Sequence, residues 1–593
     1  PSGGMRSTFE ARGYTVWDPS SPAFIMRVGD GKTLCIPTIF VTYDGRAQDF
    51  KLPLLRSQTF LESAAVPVCQ MFDPKVTKVT ATLGWEQEYF VIDEALFNAR
   101  PDLVLSGRTL LGRAATKNQQ LEDHYFGSIP ERVYLFMRDL ETESHKLGIP
   151  VRTRHNEVAP GQYEVAPIFE EVNVAVDHNQ LLMDVMERVA RRHKLRVLFH
   201  EKPFAGINGS GKHNNWSLGA NTGVNLLSPG NTPSRNLRFL TFFVNTIMSV
   251  YKHADILRAS IAHAGNDHRL GANEAPPAII SVFIGEALTK LLGQIANGKK
   301  TDDAAVQRAI DLISKLPNLE LDNTDRNRTS PFAFTGNKFE IRAVGSSQNC
   351  AGPMTVMNTM MGLQLTEFKN DVDKLLAKGA EKEEAILMVL KSYIRKLKPI
   401  LFEGNNYSEE WREEAAQRGL ANHTNTPEAL EILRSKQAED FFGKSGVLNK
   451  SELEAFLLVQ LHAYCTKMDI EAQTLNELVN SSIMPAIIRY QTDLAHNIAA
   501  LQAIGMGDAG AYQKAKLQRI VTNAAAIKDG LEKLLEGLEK AHAESDLHQE
   551  AYLFCNAVKP EMEHIREAVD SLEGIVDDEY WPLVKYREML FIR

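Results

Sequence analysis

The first candidates for chemistry are two carboxylates, Glu86 and Glu88, in a segment that has the pattern of a half-buried strand. From Val79 onward the odd positions are mostly apolar and the even positions are mostly polar, which is the period-two pattern of a strand. Both carboxylates therefore project from one face, with Cβ atoms roughly 7 Å apart. Like charges around one site raise each other's pKa unless a cation lies between them. The pair is a candidate metal site, and the alternative at this point is a solvated face of the sheet.

Two more glutamates flank a predicted turn. Pro160-Gly161 signals a turn between two short extended arms, and a tight turn would bring Glu157 and Glu164 toward each other. Taken alone, this segment is also consistent with a hairpin that carries two surface acids. Four glutamates in two strand-like settings make a metal site the better interpretation.

A glycine-rich segment, residues 206–212, has the GxxxxGK spacing of a phosphate-binding P-loop. The next residue is His213, where a P-loop has the Ser or Thr that binds magnesium, and no Walker B signature is evident. We therefore reject the P-loop. The glycines instead allow the backbone to approach a small ligand closely. His213 is a candidate nitrogen ligand of a metal, although a single histidine is more often a core residue.

Two further segments combine cations and anions. Arg269 and Glu274 lie in a stretch bounded by glycine and proline, which is the composition of a mobile flap; an exposed, salt-bridged loop is the alternative. A predicted strand places three charged side chains on one face, because they are spaced by two: Lys338, Glu340 and Arg342. Cations and an anion side by side suit a site that binds both phosphate and metal. Surface cross-strand pairing is the alternative there.

The elements that must position these residues change in character along the chain. The pattern of residues 1 to about 70 predicts a few short strands first and then a helix over residues 58–69. From about 75 to 345 predicted strands alternate with helices, and beyond 350 the pattern is helical. At the C-terminus two amphipathic helices, the second starting near Pro560, are joined by a short polar link, which predicts an antiparallel hairpin.

Length, charge and cysteine content exclude several classes of protein. The 593 residues are too many for one compact core and predict two to four domains. With 66 Lys and Arg against 75 Asp and Glu the formal charge is -9, and no basic run is dense enough to follow a nucleic-acid backbone. Five isolated cysteines without a CxxC motif are typical of a reducing cytoplasm. We find no membrane span or signal peptide in the sequence, so we expect a cytoplasmic protein that binds neither nucleic acid nor membrane.

Six motifs occur in a specific order and spacing: GWEQE, NEVAPGQYE, KPFAGINGSGKH, HRLGANEAP, NRTSP and FEIR. Together they resemble glutamine synthetase, and NRTSPFAFTGNK with the long helical C-terminus is similar to its type III branch. The resemblance covers residues 1–593 and implies an α+β fold in which helices flank a curved, largely antiparallel sheet. It also implies a remnant of an N-terminal β-grasp domain (residues 1–70), a catalytic domain (71–440) and a helical C-terminal extension (441–593).

The resemblance assigns roles to individual residues. It implies that one divalent metal is bound by Glu88, Glu157 and Glu164, and a second by Glu86, His213 and Glu340. It implies that glutamate is held by Asn208, Gly209, Arg269 and Glu157, and that ATP is contacted by Lys338, Asn215 and Arg328. It implies that the catalytic residues are Glu274, Arg328 and Arg342. Carboxylates with one imidazole suit Mg²⁺ or Mn²⁺ rather than structural zinc, and two to three such ions are expected.

The implied activity is the ATP-dependent ligation of ammonium to the γ-carboxylate of L-glutamate through γ-glutamyl phosphate. Arg269 would hold the α-carboxylate, and Glu274 would close the site as a flap and take a proton from the attacking ammonium. The family forms stacked hexameric rings, so a homo-oligomer, a dodecamer, is expected. Two alternatives are a γ-glutamyl ligase for another amine and a non-catalytic scaffold; the presence of all six metal ligands and the flap glutamate argues against the scaffold.

Three positions depart from the family's pattern. Ala333 stands where types I and II have a second arginine, Lys338 stands where type I has an arginine near ATP, and the loop from Arg269 to Glu274 is one residue shorter. These departures concern contacts with ATP and phosphate rather than metal ligands. In the family an N-terminal loop lends an acidic residue to the ammonia site of the neighbouring subunit, and we expect that loop to lie upstream of Pro1.

Overall fold

The computed structural model describes residues 13–271, 273, 275–298 and 329–591. Within these residues the central feature is a mixed sheet of nine strands with helices packed on it. From residue 351 onward every described element is a helix. The change to helix near residue 350 agrees with the sequence prediction.

The described strands are β1 (Gly13–Trp17), β2 (Phe24–Val28), β3 (Gly31–Cys35), β4 (Thr38–Thr42), β5 (Val79–Asp93), β6 (Val151–Asn156), β7 (Gln162–Pro167), β8 (Glu170–Glu171), β9 (Leu195–Leu198), β10 (Lys212–Ala220), β11 (Val282–Phe283), β12 (Phe332–Phe334) and β13 (Phe339–Ile341). The described α-helices are α1 (Lys51–Gln70), α2 (Glu94–Asn98), α3 (Pro101–Ser106), α4 (Glu131–Lys146), α5 (Val172–Arg192), α6 (Leu237–Ser260), α7 (Ala264–Arg269), α8 (Glu286–Ala296), α9 (Ala351–Leu376), α10 (Lys382–Lys396), α11 (Glu409–Gln417), α12 (Thr426–Leu430), α13 (Lys436–Ser445), α14 (Lys450–Leu478), α15 (Met484–Ala503), α16 (Ala511–Ala543), α17 (Leu547–Leu553), α18 (Lys559–Glu573) and α19 (Tyr586–Met589). Short 3₁₀ segments (Glu431–Arg434, Gly507–Gly510) and π segments (Val479–Ile483, Phe554–Val558) join some of these helices.

Strand β5 is the central strand of the sheet. The strand order is β11-β12-β13-β10-β5-β7-β6, and β8 and β9 also pair with β5. Strands β11 and β12 are parallel, whereas the other described pairings of this sheet are antiparallel. The sheet is therefore mixed but mostly antiparallel. Strands β1 to β4 form two separate antiparallel pairs, β1 with β4 and β2 with β3; their assignment to a β-grasp domain stays a prediction.

The alternation along β5 separates a core face from a polar face. The odd positions Leu83, Trp85 and Tyr89 are fully buried. The Trp85 indole Nε1 donates a hydrogen bond to Ala175 O in α5 at 2.9 Å. On the neighbouring strand β10, Trp216 Nε1 donates to Asn358 Oδ1 in α9 at 3.0 Å. Because successive side chains of a strand point to opposite faces, this packing against α5 and α9 leaves the even positions of β5 for other uses.

Two helix predictions need correction. The helix predicted over residues 58–69 begins earlier, since α1 starts at Lys51. Pro53 lies in its first turn, where the missing N–H has no intrahelical partner to lose. The predicted C-terminal hairpin exists as α16 packed on α18, but its link is not short and polar. The link contains α17 and the π segment Phe554–Val558, and both end residues of that segment are buried.

Among the described helices, none combines the length and the apolar character that crossing a bilayer would require.

Glu452, near the start of α14, joins distant parts of the fold. It is buried, and its Oε2 accepts the Asn449 N–H at 2.8 Å, while the Asn449 side chain accepts the Glu452 N–H at 3.0 Å. This reciprocal pair is a capping box. Glu452 Oε1 also accepts from the Ala47 N–H at 2.7 Å and from Arg56 Nη1 at 2.9 Å. One carboxylate therefore connects the segment between β4 and α1 with α1 and α14.

We expect Glu452→Ala to lower the free energy of unfolding by about 2–3 kcal/mol, because it removes a buried charged partner and a helix cap together. Urea unfolding followed by circular dichroism measures the change. Glu454→Ala is the matched control, since Glu454 lies two positions further along the same helix and is exposed. Equal effects of the two substitutions would contradict the role given to Glu452.

Candidate active site

Strand register brings the predicted carboxylates together on the polar face of the sheet. Glu86 pairs with His213 between β5 and β10, and Glu88 pairs with Glu164 between β5 and β7. Glu340 lies on β13, the next strand beyond β10. The prediction that Glu86 and Glu88 share one face of a strand is confirmed. The solvated-face alternative is wrong for Glu88, which is 8% exposed.

The strand group consists of Glu86, His213 and Glu340, and one potential ligand atom from each lies within 4.8 Å of the other two. His213 Nδ1 is 3.1 Å from Glu86 Oε2 and 3.1 Å from Glu340 Oε1. Asn215, two residues further along β10, donates from Nδ2 to Glu86 Oε1 at 2.7 Å. These are the three residues that the resemblance assigned to one metal.

The hairpin group consists of His155, Glu157 and Glu164, whose ligand atoms also lie within 4.8 Å of one another. The turn at Pro160-Gly161 joins β6 and β7 as predicted. His155 Nε2 is 3.2 Å from Glu164 Oε1, and its Nδ1 is 3.5 Å from Glu157 Oε1. Sequence reasoning missed His155, although strand pairing places it directly opposite Glu164.

Glu88 lies between the two groups rather than inside either. Its Oε1 is 3.4 Å from His213 Nε2, and its Oε2 accepts the Gly211 N–H at 2.6 Å. Its negative charge also raises the pKa of Glu157. The predicted set Glu88, Glu157 and Glu164 is therefore brought into one neighbourhood, and the group whose ligand atoms lie within 4.8 Å of one another contains His155 in place of Glu88.

Carboxylates raise one another's pKa in the hairpin group, and carboxylates raise the pKa of His213 in the strand group. Burial raises the pKa of Glu157 well above its ordinary value, and Glu164 and Glu88 raise it further. Burial, Glu86 and Glu88 raise the pKa of Glu164 to about 6 against the opposing effect of His155. Burial alone would lower the pKa of His213, but the neighbouring carboxylates raise it well above its usual range. Buried carboxylates that disfavour their own ionisation fit a site for divalent cations.

Arg342 and Glu340 form a buried pair at the edge of the strand group. Arg342 Nε lies 3.0 Å from Glu340 Oε1, and Arg342 Nη2 lies 3.0 Å from Glu340 Oε2. Burial alone would raise the pKa of Glu340, but Arg342 and His213 hold it well below its usual range. The surface-pairing alternative is wrong for these two residues because both are buried. Lys338, two residues earlier, is half-buried.

The structure agrees with the sequence prediction that the glycine-rich segment is not a P-loop. Lys212 begins strand β10 instead of a helix, is fully buried, and donates to Gln348 O. Asn208 exchanges hydrogen bonds with Gln119, at 3.1 Å from its N–H and 2.8 Å to its Oδ1. A Cβ on Gly209 would lie 2.5 Å from Glu201 O, so this position requires glycine.

The stretch predicted as a flap begins with a helix. Residues Ala264–Arg269 form α7, where the His263 side chain caps the first turn by accepting the Gly265 N–H. Arg269 is 3% exposed, and its Nη2 donates to Arg342 O at 3.0 Å. The exposed-loop alternative is therefore wrong for Arg269. A Cβ on Gly211 would lie 2.2 Å from Arg269 Nη2, so the absence of a side chain there makes room for the guanidinium.

Two predicted residues, Glu274 and Arg328, lie outside the described residues. Their roles stay predictions.

Glu201 is a buried residue that no sequence pattern indicated. Its side chain is 0% exposed, and its Oε1 accepts from the Ser347 N–H at 3.0 Å and the Ser347 hydroxyl at 2.6 Å. Burial alone would raise its pKa, but His263 and His200 with the Ser347 hydrogen bond lower it to about 2. Its backbone oxygen accepts the Ser210 N–H at 2.8 Å. Glu201 therefore restrains the position of the glycine-rich segment, which contains Asn208, through its backbone hydrogen bond with Ser210.

Comparisons with known proteins give a consistent set of similarities. Three family models match: "Glutamine synthetase type III N terminal" over residues 1–57, "Glutamine synthetase, catalytic domain" over residues 70–269, and "Glutamine synthetase C-terminal domain" over residues 385–502. The chain is 51% identical over 601 residues to the glutamine synthetase of Bacteroides fragilis (strain YCH46), covering 100% of this chain and 82% of that protein. It is 44% identical over 600 residues to the type-3 glutamine synthetase of Dictyostelium discoideum, covering 100% of this chain and 81% of that protein. It is 41% identical over 586 residues to the glutamine synthetase of Butyrivibrio fibrisolvens, covering 98% and 82% respectively.

Proposed function

This chain belongs to the glutamine synthetase family, and from that premise we propose that it joins ammonia to the γ-carboxylate of L-glutamate, converting ATP to ADP and phosphate. The observation that carries the proposal is the polar face of the sheet, where five carboxylates and His213 converge and neighbouring carboxylates raise the pKa values of Glu157 and Glu164. A phosphoryl-transfer enzyme requires such a face to hold divalent cations and the transferred group.

The donor set fits two divalent cations. We assign one to the strand group with His213 as its nitrogen ligand, and another to Glu88, Glu157 and Glu164. We expect Mg²⁺ or Mn²⁺, because carboxylate oxygens dominate the donor set. Bound there, such cations would neutralise charge on the phosphoryl oxygens. A third ion is expected from the resemblance.

We assign the binding of glutamate to Asn208, Gly209, Glu157 and Arg269. The support for Arg269 is its Nε, a buried donor without a hydrogen-bond partner among the described residues, which a substrate carboxylate would satisfy. Asn215 Oδ1 is likewise buried and unpartnered within that part of the chain, and we assign Asn215, Lys338 and Arg328 to ATP. The assignments of Arg269 and Asn215 each explain a polar atom that would otherwise be costly to bury.

The reaction needs no protein nucleophile. A carboxylate is a poor electrophile, so the γ-carboxylate first takes the terminal phosphoryl group of ATP, and ammonia then displaces phosphate. We assign Arg342 and Arg328 to hold negative charge on the transferred group. We assign Glu274 to accept the proton that ammonium must lose and to exclude water from the acyl phosphate, which water would otherwise hydrolyse.

Release of ADP under four conditions tests the function: glutamate alone, ammonium alone, glutamate with other amines, and glutamate with ammonium. Fast release is expected only with glutamate and ammonium together. Fast release with another amine would favour a γ-glutamyl ligase of different specificity, and no release under any condition would favour a scaffold.

We expect Glu274→Ala to lower the rate of glutamine formation by about 100-fold, because a general base of this kind contributes at least that factor. Metal affinity should stay unchanged, since the predicted metal ligands lie elsewhere in the sequence. Glutamine formation and Mn²⁺ titration measure the two effects. Unchanged glutamine synthesis would contradict the assignment.

The remaining proposals concern organisation. We propose a catalytic domain over residues 71–440, an N-terminal part over 1–70 and a helical C-terminal part over 441–593. We also propose a cytoplasmic homo-oligomer of stacked hexameric rings. Sedimentation of the purified chain tests the assembly, and a monomer that synthesises glutamine would contradict it.

A further inference from the structure

A basic cavity of about 200 Å³ lies between the glycine-rich segment and the C-terminal helices. Its lining residues come from the segments after α3 and β9, from α7, and from α14 and α18. The ionisable residues that line it are Arg108, Lys202, His268, Lys559, Glu563 and Arg566. The cavity contains none of the metal ligands assigned above.

Positive charge in this basic cavity exceeds negative charge. Four of its lining residues are lysines or arginines, whereas Glu563 is the acid among them. Burial, with the nearby Arg269, lowers the pKa of Lys202 to about 8. Arg108 pairs with Glu471 at 2.7 Å and Arg566 pairs with Asp570 at 3.1 Å, and both acids lie outside the lining.

The two lysines differ from these arginines. Lys202 donates to Ile207 O, and to Asn273 Oδ1 at 3.1 Å, and both partners are neutral. Within the part of the chain that the structure describes, neither Lys202 nor Lys559 forms an ion pair. The two lysines therefore contribute positive charge that no ion pair within the described chain offsets, and Glu563 in the lining opposes part of it.

The positive charge of the basic cavity acts on His268. Its Nε2 is buried and has no hydrogen-bond partner among the described residues. Burial lowers its pKa well below the usual value, and the cations Arg108, Lys559 and Arg566 lower it further. Arg108 Nε is a second buried polar atom without a partner in the described chain. A cavity with unpartnered polar atoms and convergent cations has the properties of an anion site.

We propose that the basic cavity is a second ligand site that binds a small organic dianion and acts as an effector site. Its volume is below the range usual for drug-sized ligands, about 300–1,000 Å³, so the occupant must be small. Each of the two lysines, which form no ion pair among the described residues, can pair with one negative charge of a dianion, and Glu563 opposes this binding. A phosphate monoester and a dicarboxylate share this chemistry.

The basic cavity is connected to the proposed glutamate site through Lys202. Lys202, Ala205 and Gly206 line the cavity and belong to the same segment as Asn208. The Lys202 ammonium donates a hydrogen bond to Ile207 O, the backbone carbonyl directly before Asn208. A dianion that draws Lys202 toward the cavity would weaken that contact and shift the backbone at Asn208. The expected change in the KM for glutamate rests on the proposed role of Asn208, whereas binding itself does not.

Isothermal titration calorimetry of the full chain tests binding, with Mg²⁺, ADP and glutamate present at saturation so that the catalytic site is already filled. The probes are glycerol 1-phosphate as the phosphate monoester, glutarate as the dicarboxylate, and propionate as a monoanion. We expect one of the dianions to bind, more weakly at high salt, and propionate to bind at least about tenfold more weakly. Absence of binding by both dianions would overturn the proposal.

Two variants with opposite expected effects localise the binding. Lys559→Gln should weaken dianion binding about tenfold, because it removes one charge-assisted contact. Glu563→Gln should tighten it several-fold, because it removes the opposing charge. General damage to the fold would weaken binding in both variants and so could not imitate this result. Lys528→Gln is the matched control, since Lys528 is an exposed helix lysine paired with Glu532 in α16. Equal weakening in Lys528→Gln and Lys559→Gln would overturn the location.

Steady-state kinetics with and without the binding dianion tests the coupling. A several-fold change in the KM for glutamate, abolished by Lys559→Gln, is expected. Binding with an unchanged KM would overturn the coupling through Lys202 while the calorimetry still supports the site.

Discussion

The His213→Ala variant is expected to lose about 1,000-fold of its rate of glutamine synthesis and to bind ATP and one divalent cation more weakly together. His213 is the nitrogen donor of the strand group, 3.1 Å from both Glu86 and Glu340. Removing even a residue that only supports a metal ligand costs roughly 10- to 100-fold in affinity or activity. Loss of a direct ligand should cost more. The carboxylates left without their imidazole partner would also repel one another more strongly.

Titration of Mn²⁺ and of ATP in equilibrium dialysis measures the two affinities. His178→Ala is the matched control, because His178 also contacts a glutamate, Glu170, at 2.6 Å, but belongs to neither carboxylate group. The control should retain both affinities. ATP affinity that survives His213→Ala would show that the strand group does not hold the nucleotide-side cation.

The Gly265→Ala variant is expected to lose about 1–3 kcal/mol of unfolding free energy, the usual range for an overpacked interior. A Cβ on Gly265 would lie 1.9 Å from Glu201 Oε2. The carboxylate cannot easily move away, because its other side is also closely packed. A Cβ on Gly345 would lie 2.5 Å from Glu201 Oε1, and that oxygen accepts a hydrogen bond from the Ser347 hydroxyl. Displacing Glu201 would in turn disturb its backbone contact with Ser210. Glutamate affinity should therefore fall together with stability.

Gly293→Ala is the matched control for this prediction. Gly293 lies inside helix α8, and a Cβ there would meet nothing within 4 Å. Alanine is a better helix former than glycine by about 1 kcal/mol, so the control should be unchanged or slightly stabilised. Thermal unfolding of both variants, with glutamate KM measured alongside, decides the matter. A stabilised Gly265→Ala variant would mean that the Glu201 pocket has more room than the distances indicate.

The parts of the site that sequence predicted are those with strong local patterns. The period-two alternation around Glu86 and Glu88 and the Pro160-Gly161 turn are short-range signals, and strands β5, β6 and β7 follow them. The identity of the residues opposite them depends on register between strands that are distant in sequence. His155 illustrates the difference, because its role becomes visible only when pairing places it across from Glu164.

The parts that sequence could not predict depend on three-dimensional packing. Glu201 has no periodic pattern around it, and its burial arises because Gly265 and Gly345 both leave space for its carboxylate. Arg269 was predicted in a loop since its neighbours are glycine and proline, yet the capping by His263 makes that stretch helical. The link before α18 was read as polar, but Phe554 is buried there because α16 and α18 enclose it. In each case the tertiary environment overrides local composition.

The strand group has a consequence for how the chain folds. Its histidine is 127 residues from Glu86 in sequence, so the group cannot exist until contacts of long sequence separation have formed. Contacts that form after the rate-limiting barrier change the unfolding rate and leave the folding rate nearly unaltered. We expect a divalent cation in this place to slow unfolding more than it speeds folding, because it can bind only once β5, β10 and β13 have paired.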